Sequence, residues 1–170
     1  MANIYISSDL HLGHANMLNF KREDGSPLRD FANVDEMNSY IIQKHNEVIK
    51  PSDHWYCLGD VAMKREHIAL VAKLNGHKRL VRGNHDIYRT TEYLPYFEEI
   101  YGIRVLDNMI FTHIPIHPES LGRFRANVHG HIHANKSPNG PYINVSVEAI
   151  DYTPVSLEEL KAKAEKLKEE

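Results

Sequence analysis

The stretch Val128-His129-Gly130-His131-Ile132-His133 places three histidines at every second position. In an extended segment alternate side chains point to the same face, so the three imidazoles are expected to share one side. Gly130 has no Cβ and lets the backbone turn and come close to whatever the rings hold. A histidine-rich tract alone is only a compositional indication of metal binding, so its interpretation depends on the rest of the chain.

Four earlier segments end in a similar way, with a short apolar run followed by side chains that can bind a metal. The residues that follow these runs are Asp9 and His11, then Asp60, then Asn84 and His85, and finally His113. The runs are typical of β-strands, and ligands of open α/β sheets bind at the carboxyl ends of the strands. We therefore expect five strand ends to converge on one site.

Composition is typical of an ordinary soluble globular protein. The chain has 170 residues, of which 42% are hydrophobic and 25% charged, with a net charge of −3; this length favours a single domain over residues 1–170. The near-neutral balance does not favour a protein that binds long nucleic acid by charge alone. No membrane span or secretory signal is apparent, and Cys57 stands alone as a predicted buried hydrophobe, so we expect a cytoplasmic protein without membrane association.

Local patterns predict strands alternating with helices in the first half of the chain and hairpin-like strands after that. Residues 15–33 are expected to form a long loop, residues 88–101 a loop with one helical turn, and Asp107-Asn108 a tight hairpin turn. The order of elements favours an α/β sandwich with sheet at its centre and helices outside. The predicted strands cover residues 3–7, 54–58, 78–81, 103–106, 109–112, 126–129 and 142–148, and the predicted helices cover 34–49, 66–75 and 157–167.

The candidate metal ligands combine carboxylates, imidazoles and one amide. Such nitrogen and oxygen donors suit Mn, Fe, Zn or Ni, and the absence of cysteine ligands disfavours a structural zinc site. Seven candidates are too many for one ion, whereas two ions sharing one carboxylate would use them all. A pair of ions about 3.5–4 Å apart can clamp the attacking and leaving oxygens of a phosphoryl displacement. The seven are Asp9, His11, Asp60, Asn84, His113, His131 and His133.

These residues occur in blocks that resemble, in content and order, the signature of the calcineurin-like metallophosphoesterases. The blocks are Asp9-x-His11, Gly59-Asp60, Gly83-Asn84-His85-Asp86, His113 and Gly130-His131-x-His133. The resemblance extends from residue 4 to residue 147 and is greatest to the small, cap-less bacterial and phage members. It implies a four-layer α/β/β/α sandwich, with central sheets flanked by helices and an uncapped site. One departure is Ile114-Pro115 after His113, where many relatives have glycine.

The resemblance also implies a role for each matched metal ligand. Asp9, His11 and His133 would bind the first ion. Asn84, His113 and His131 would bind the second, and Asp60 would bridge the two. Manganese is the expected metal, with iron, zinc and nickel as alternatives.

The activity implied by the resemblance is hydrolysis of a phosphate ester, with a phosphodiester favoured. A hydroxide shared by the two metal ions would attack phosphorus, and His85 would contact the phosphate and assist the leaving group. Asp86 would hold His85 in one tautomer. The alternatives are a nuclease, a phosphomonoesterase acting on proteins or small molecules, and a non-catalytic scaffold of the same fold. The expected partner is a phosphate-ester substrate, which includes a nucleotide or nucleic acid, and the sequence does not indicate an oligomeric state.

Substrate selection is expected to depend on the loops at residues 14–31 and 115–126. Histidine and arginine side chains in these loops are candidates to bind the substrate, because cationic side chains bind phosphate groups. The alternative for each candidate is a structural or solvated role. Four other histidines, at positions 45, 54, 67 and 77, are interpreted as structural, while His117 and His129 are left open between structure and site contact. The candidate substrate-binding residues are His14, Arg22, Arg29, Arg123 and Arg125.

Overall fold

The computed structural model describes residues 2–169, which fold into two β-sheets with helices around them. In chain order the strands are β1 (Ile4–Ser7), β2 (His54–Cys57), β3 (His77–Val81), β4 (Glu99–Tyr101), β5 (Arg104–Leu106), β6 (Met109–Phe111), β7 (Asn127–His129), β8 (Tyr142–Asn144) and β9 (Val155–Ser156). The helices are α1 (Val34–Val48), α2 (Thr90–Tyr93), α3 (Pro118–Leu121) and α4 (Leu157–Glu169), and Ala15–Asn19 and Arg65–Lys73 are 3₁₀ helices.

The two sheets have different strand orders but similar internal directions. The first sheet runs β4-β3-β2-β1-β9, and the second runs β5-β6-β7-β8. Strands β1 to β4 are parallel and β9 is antiparallel to β1, while β6 to β8 are parallel and β5 is antiparallel to β6. Each sheet therefore presents several carboxyl strand ends at one edge.

Two apolar clusters hold these layers together. In β2 alternate side chains face opposite sides: Trp55 packs in a cluster with Met37 and Ile41 of α1, while Tyr56 packs with residues of the second sheet, among them Phe111. The first cluster covers the outer face of the first sheet, and the second lies between the sheets. This arrangement confirms the predicted α/β sandwich.

Helix α1 begins and ends as its sequence predicts. The side chain of Asn33 accepts a hydrogen bond from the backbone N–H of Glu36 at 2.9 Å. N-cap side chains usually accept in this way from backbone N–H groups that have no partner within the helix. Met37, Ile41 and His45 recur every four residues and are buried. They form the face that packs on the first sheet.

The second sheet is covered by helix α4 and by the segment around α3. Helix α4 contacts β1, β8 and β9, and its Leu160 and Ala164 belong to the cluster between the sheets, so it closes one side of the sandwich. The outer face of the second sheet is covered by the segment around α3, since the backbone N–H of Ile116 donates to Asn127 and the Tyr142 hydroxyl donates to the Ile116 carbonyl. No helix within residues 2–169 is long and apolar enough to cross a membrane.

Four local predictions differ from the structure. The long loop predicted over residues 15–33 begins with the 3₁₀ helix Ala15–Asn19. The helix predicted over residues 66–75 is the 3₁₀ helix Arg65–Lys73, and the loop predicted over residues 88–101 ends in strand β4. Strand β8 ends at Asn144 rather than at residue 148, because the next residues leave the second sheet and bond to Ser8 of the first: the Ser8 N–H donates to the Val145 carbonyl at 2.9 Å. By contrast the hairpin turn is confirmed, with Asp107 and Asn108 at φ values of +46° and +59°, as a two-residue hairpin loop requires.

Candidate metal centre

The carboxyl ends of strands from both sheets meet at one edge of the sandwich. A parallel bridge joins Ser8, just after β1, to Ser146, just after β8. Within the first sheet the Asp9 N–H donates to the Gly59 carbonyl at 3.0 Å, and the His11 N–H donates to the Asp60 carbonyl at 3.0 Å. These contacts bring the loops that follow β1 and β2 together, as predicted, and add the loop that follows β8, which was not predicted.

The first group of candidate ligands comes from both sheets. One ligand atom each from Asp9, His11 and His133 lies within 4.8 Å of the others. Asp9 is 0% exposed and His11 is 2% exposed, and the distance from His11 Nε2 to Asp9 Oδ1 is 3.9 Å. This is the set predicted for the first ion.

The second group lies beside the first. Ligand atoms of Asp60, His113 and His131 again fall within 4.8 Å of one another. The Asn84 side-chain oxygen completes the group, at 2.8 Å from His113 Nε2 and 3.0 Å from His131 Nδ1. The four residues include the set predicted for the second ion.

Asp60 lies between the two groups. Its Oδ2 atom is 3.6 Å from His11 Nε2 in the first group and 3.3 Å from His113 Nε2 in the second. Its other oxygen accepts a hydrogen bond from the His85 backbone N–H at 2.9 Å. One oxygen of Asp60 thus faces both groups while the other is held by the backbone.

Buried polar atoms test whether these residues fit metal ions. Within residues 2–169, Asp9 Oδ1 and His11 Nε2 are buried without a hydrogen-bond partner, which is costly for polar atoms. Ligand atoms about 2.1 Å from one ion lie about 3.0–3.4 Å apart by geometry. The distance is 2.8 Å between His113 Nε2 and the Asn84 oxygen and 3.9 Å between His11 Nε2 and Asp9 Oδ1, and the ligand atoms of each group of three lie within 4.8 Å of one another. The residues fit two divalent ions.

The backbone at this site is strained. Five of the seven candidate ligands have positive φ angles, although none is glycine: Asp9 (+61°), His11 (+49°), Asp60 (+55°), His131 (+72°) and His133 (+51°). This left-handed conformation costs an ordinary residue about 1–2 kcal/mol. Such strain persists only where the surrounding structure enforces it, and it concentrates at functional sites.

The protonation of the ligands partly suits metal binding. Burial raises the pKa of Asp60, but the hydrogen bond and charge of His113 outweigh burial and lower that pKa to about 2. Burial lowers the pKa of His11 well below its usual value. Ionised Asp60 and neutral His11 are the forms that bind metals. Burial raises the pKa of Asp9, so its ionised form would gain stability from a nearby cation.

His85 and His14 stand at the rim of this cluster. Their ring centroids lie 5.7 Å and 5.6 Å from the ring of His11, respectively. Both side chains are partly exposed, and burial together with Arg29 lowers the pKa of His14. Phe20 stands next to His14, with 6.4 Å between ring centroids. These positions are open to a substrate held at the metal groups.

Asp86 does not contact the His85 ring, so its predicted role is wrong. Its two oxygens accept backbone N–H groups from Asp60 at 2.8 Å, Val61 at 3.0 Å and Gly83 at 2.8 Å. The carboxylate is buried under the loops that follow β2 and β3, where the nearest donors are main-chain amides. Asp86 therefore fixes these two loops to each other.

Three of the four candidate arginines are either buried or lie beside the hairpin turn. Arg29 is buried, so the prediction that it binds substrate is wrong. The Arg125 guanidinium pairs with Glu165 of α4 at 2.6 Å, and the Arg123 carbonyl accepts a hydrogen bond from Asn108 at 3.2 Å. This places Arg123 and Arg125 beside the hairpin turn, at the amino end of β7. Neither position supports the predicted contact with substrate, which stays a prediction.

Arg22 is the loop arginine that remains near the metal centre. It lines one groove with Lys136 and with Ala134, the residue that follows His133.

His117 is exposed and caps α3. His129 is buried, with Nε2 at 3.0 Å from the Ser137 hydroxyl. The last two histidines thus have structural surroundings.

Sequence reasoning assigned no role to Glu148. Its Oε1 atom lies 3.1 Å from Nδ1 of His133 and accepts a hydrogen bond from Arg29 Nε at 2.7 Å. Burial raises the pKa of Glu148, but Arg29 and His133 lower it to about 2. One feature of the sequence could have indicated this role. Glu148 ends the alternating segment 142–148, just as the predicted ligands follow the ends of the other predicted strands.

Gly130 makes the close backbone approach that the sequence predicts, and replacing it should be destructive. A Cβ atom there would lie 2.1 Å from Ser8 Oγ and 2.3 Å from Asp9 Oδ2, both side chains being buried. We expect Gly130→Ala to lower the free energy of unfolding by about 2–3 kcal/mol, because overpacking displaces its neighbours. Urea unfolding measures the change.

Gly102→Ala is the matched control, since a Cβ atom there has nothing within 4 Å. Its stability should stay within about 0.5 kcal/mol of the wild type, as for most surface changes. Equal unfolding free energies for the two variants would contradict the prediction for Gly130.

Comparison with known proteins places the chain in a family. No protein-family model matches it. It is 34% identical over 173 residues to the uncharacterised protein MJ1445 of Methanocaldococcus jannaschii, covering 93% of this chain and 89% of that protein. The chain therefore belongs to the same family as MJ1445.

Solved structures with similar folds extend the comparison. A protein of unknown function from Aquifex aeolicus, AQ665, is 28% identical, with a TM-score of 0.72 over 95% of this chain and 99% of that one. A structure described as a novel archaeal phosphodiesterase is 18% identical, with a TM-score of 0.49 over 84% of this chain and 82% of that one. With two sheets flanked by helices, the chain has the predicted α/β sandwich architecture, and two groups of possible metal ligands lie at its strand ends.

Proposed function

We propose that this protein hydrolyses phosphate esters, phosphodiesters in preference, with two divalent metal ions, and that manganese is the metal it uses. The observation that carries the proposal is the position of Asp60 Oδ2, which is 3.6 Å from His11 Nε2 and 3.3 Å from His113 Nε2. One carboxylate between two sets of nitrogen and oxygen donors suits a pair of closely spaced ions. Such pairs catalyse in-line phosphoryl displacement.

The residues of the two groups would hold these ions in defined orientations. When bound, the ions would lower the pKa of coordinated water to about 7 and neutralise charge on the phosphate. The His113 ring donates from Nδ1 to the Leu58 carbonyl at 2.7 Å, which leaves Nε2 for the second ion. A ring fixed in this way needs no reorientation on metal binding.

His85 would deliver a proton to the departing oxygen. Its ring projects next to His11 from the loop that also carries Asn84, and its backbone is tied to Asp60. General acid catalysis by a placed histidine is a common way to stabilise a leaving alkoxide. His14 and Arg22 are the rim residues proposed to contact the rest of the substrate.

The exposure of the site supports the proposed preference for phosphodiesters. Asn84 is exposed, and His131 and His133 are partly exposed, so a substrate can extend on both sides of the phosphorus. The alternative of a nuclease gains no support from Arg123 and Arg125, which lie at the other end of the second sheet.

Turnover of two chromogenic esters tests the proposed function. Metal-stripped protein reconstituted with Mn²⁺ should hydrolyse bis-p-nitrophenyl phosphate faster than p-nitrophenyl phosphate, and chelation should stop both reactions. Iron, zinc and nickel serve as comparison metals. A faster reaction with the monoester would contradict the diester preference. The absence of turnover with either ester and all four metals would contradict the proposed function.

A further inference from the structure

A buried ion pair lies directly behind the first group of metal ligands. The side chains of Arg29 and Glu148 are each 0% exposed, and Arg29 Nε lies 2.7 Å from Glu148 Oε1. Removing two charges from water costs several kcal/mol for each ion, so a buried pair is weak support for stability alone. Its retention next to the metal ligands suggests a role at the site.

Glu148 contacts the ligand His133. The same Oε1 atom lies 3.1 Å from His133 Nδ1. A carboxylate at this nitrogen holds the proton there and leaves Nε2 to bind a metal. Glu148 therefore fixes both the tautomer and the orientation of the His133 ring.

Arg29 contacts the loop that carries the other two ligands of the first group. Its guanidinium donates to the carbonyl of Leu10 at 2.7 Å and to the carbonyl of Asp9. Asp9 and His11 both have positive φ angles, which are unfavourable for residues other than glycine. Hydrogen bonds from a charged donor are stronger than those between neutral groups, so Arg29 stabilises this strained turn.

The second group is oriented by different means. Nδ1 of its His113 lies 2.7 Å from the backbone carbonyl of Leu58, and its Asp60 accepts from the His85 backbone N–H. In the first group the Asp9 carboxylate also accepts from the His131 backbone N–H at 2.8 Å and from the Ser146 hydroxyl at 3.0 Å. The charged pair, however, contacts His133 and the loop that carries Asp9 and His11, and it makes no such contact with His113 or Asp60. The two sites should therefore respond differently when the pair is removed.

We propose that Arg29 and Glu148 are a positioning pair that sets the affinity of the first metal site and leaves the second unaffected. This inference rests on the proposed function in that it requires two ions. It adds that the affinity of one metal site can change without a change in the affinity of the other. Neither residue is proposed to touch the substrate.

Calorimetric titration of the metal-stripped full-length chain with Mn²⁺ tests the pair. In Glu148→Gln the negative charge is lost while the shape is kept. One of the two ions should then bind about 10- to 100-fold more weakly, as is typical when a partner of a ligating histidine is replaced, and the other should bind as in the wild type.

Glu98→Gln is the matched control. Glu98 also contacts a histidine and an arginine, with Oε1 at 2.7 Å from His77 Nδ1 and Oε2 at 3.6 Å from Arg79. It lies at the amino ends of β3 and β4, away from the metal centre. Both ions should bind to this variant with wild-type affinity.

A double variant covers the case in which Glu148→Gln does not fold, since it leaves Arg29 buried without its anionic partner. Arg29→Met with Glu148→Leu replaces both charges by apolar side chains, and circular dichroism checks its fold. The same ion should bind about 10- to 100-fold more weakly.

The outcomes separate this inference from the proposed function. Wild-type affinity for both ions in either folded variant, or an equal loss of both, would overturn the positioning role. Two tightly bound ions in the wild type without turnover of any ester would contradict the proposed function alone. Fewer than two ions in the wild type would contradict both.

Discussion

Asp60→Asn should reduce turnover of bis-p-nitrophenyl phosphate at least about 1000-fold, beyond the roughly 10- to 100-fold loss typical of residues that only orient a ligand. Asp60 Oδ2 faces both ligand groups, and a neutral amide oxygen cannot balance two cations. The asparagine can still accept the His85 N–H that Asp60 accepts at 2.9 Å. We therefore expect a folded protein that binds at most one Mn²⁺ tightly, measured by calorimetry.

Asp53→Asn provides the matched control for this change. Asp53 is also buried, and it accepts backbone N–H groups from Asn3 and Lys50, each at 2.9 Å. It precedes β2, whereas Asp60 follows it, so the two carboxylates lie at opposite ends of the first sheet. The control should keep both ions and its turnover. A variant at Asp60 that retained two tight ions and the wild-type rate would rule out the shared carboxylate.

The candidate ligands could be predicted because their placement depends on local pattern. Each follows a short apolar run, and parallel strands necessarily bring their carboxyl ends to the same edge. Asp9 and Asp60 could therefore be grouped without knowledge of long-range packing, whereas His113 follows β6 of the second sheet and reaches them because the two sheets pack together. The left-handed backbone of these loops was not apparent from residue type, since none of the strained ligands is glycine.

The roles of Arg29 and Asp86 could not be predicted from their neighbours in sequence. Arg29 lies in a loop rich in charges, which favours a solvated position, yet it meets Glu148, 119 residues away. Asp86 directly follows His85, which suggested a contact between the two, but the folded loops offer it three backbone N–H groups instead. Long-range packing decided both cases.

Strand β4 is an element of secondary structure that also depends on long-range packing and could not be predicted from its own residues. Its three residues have little apolar pattern, and they become a strand because Arg79, Leu80 and Val81 of β3 offer a free edge for pairing. Strand formation depends on the partner more than on intrinsic preference. The predicted loop was wrong at this point for that reason.

His85→Asn should lower kcat while leaving both ions bound. The His85 ring is 5.7 Å from the ring of His11, and its contact with Asp60 uses only the backbone, which the variant keeps. Loss of a general acid typically costs about 100- to 10,000-fold in rate. His117→Asn is the control, because His117 is exposed and asparagine serves equally well at a helix start; it should keep full activity.

The leaving group distinguishes proton delivery by His85 from simple contact with the phosphate. An alkoxide needs a proton far more than p-nitrophenolate does, because its oxygen is much more basic. If His85 protonates the departing oxygen, His85→Asn should slow hydrolysis of a diester whose leaving group is an alkoxide, such as a dinucleotide, more than hydrolysis of bis-p-nitrophenyl phosphate. Equal losses on both substrates would assign His85 to phosphate binding, and a lost Mn²⁺ in calorimetry would make it a ligand. Since its backbone holds Asp60 in either case, only the side chain is being tested.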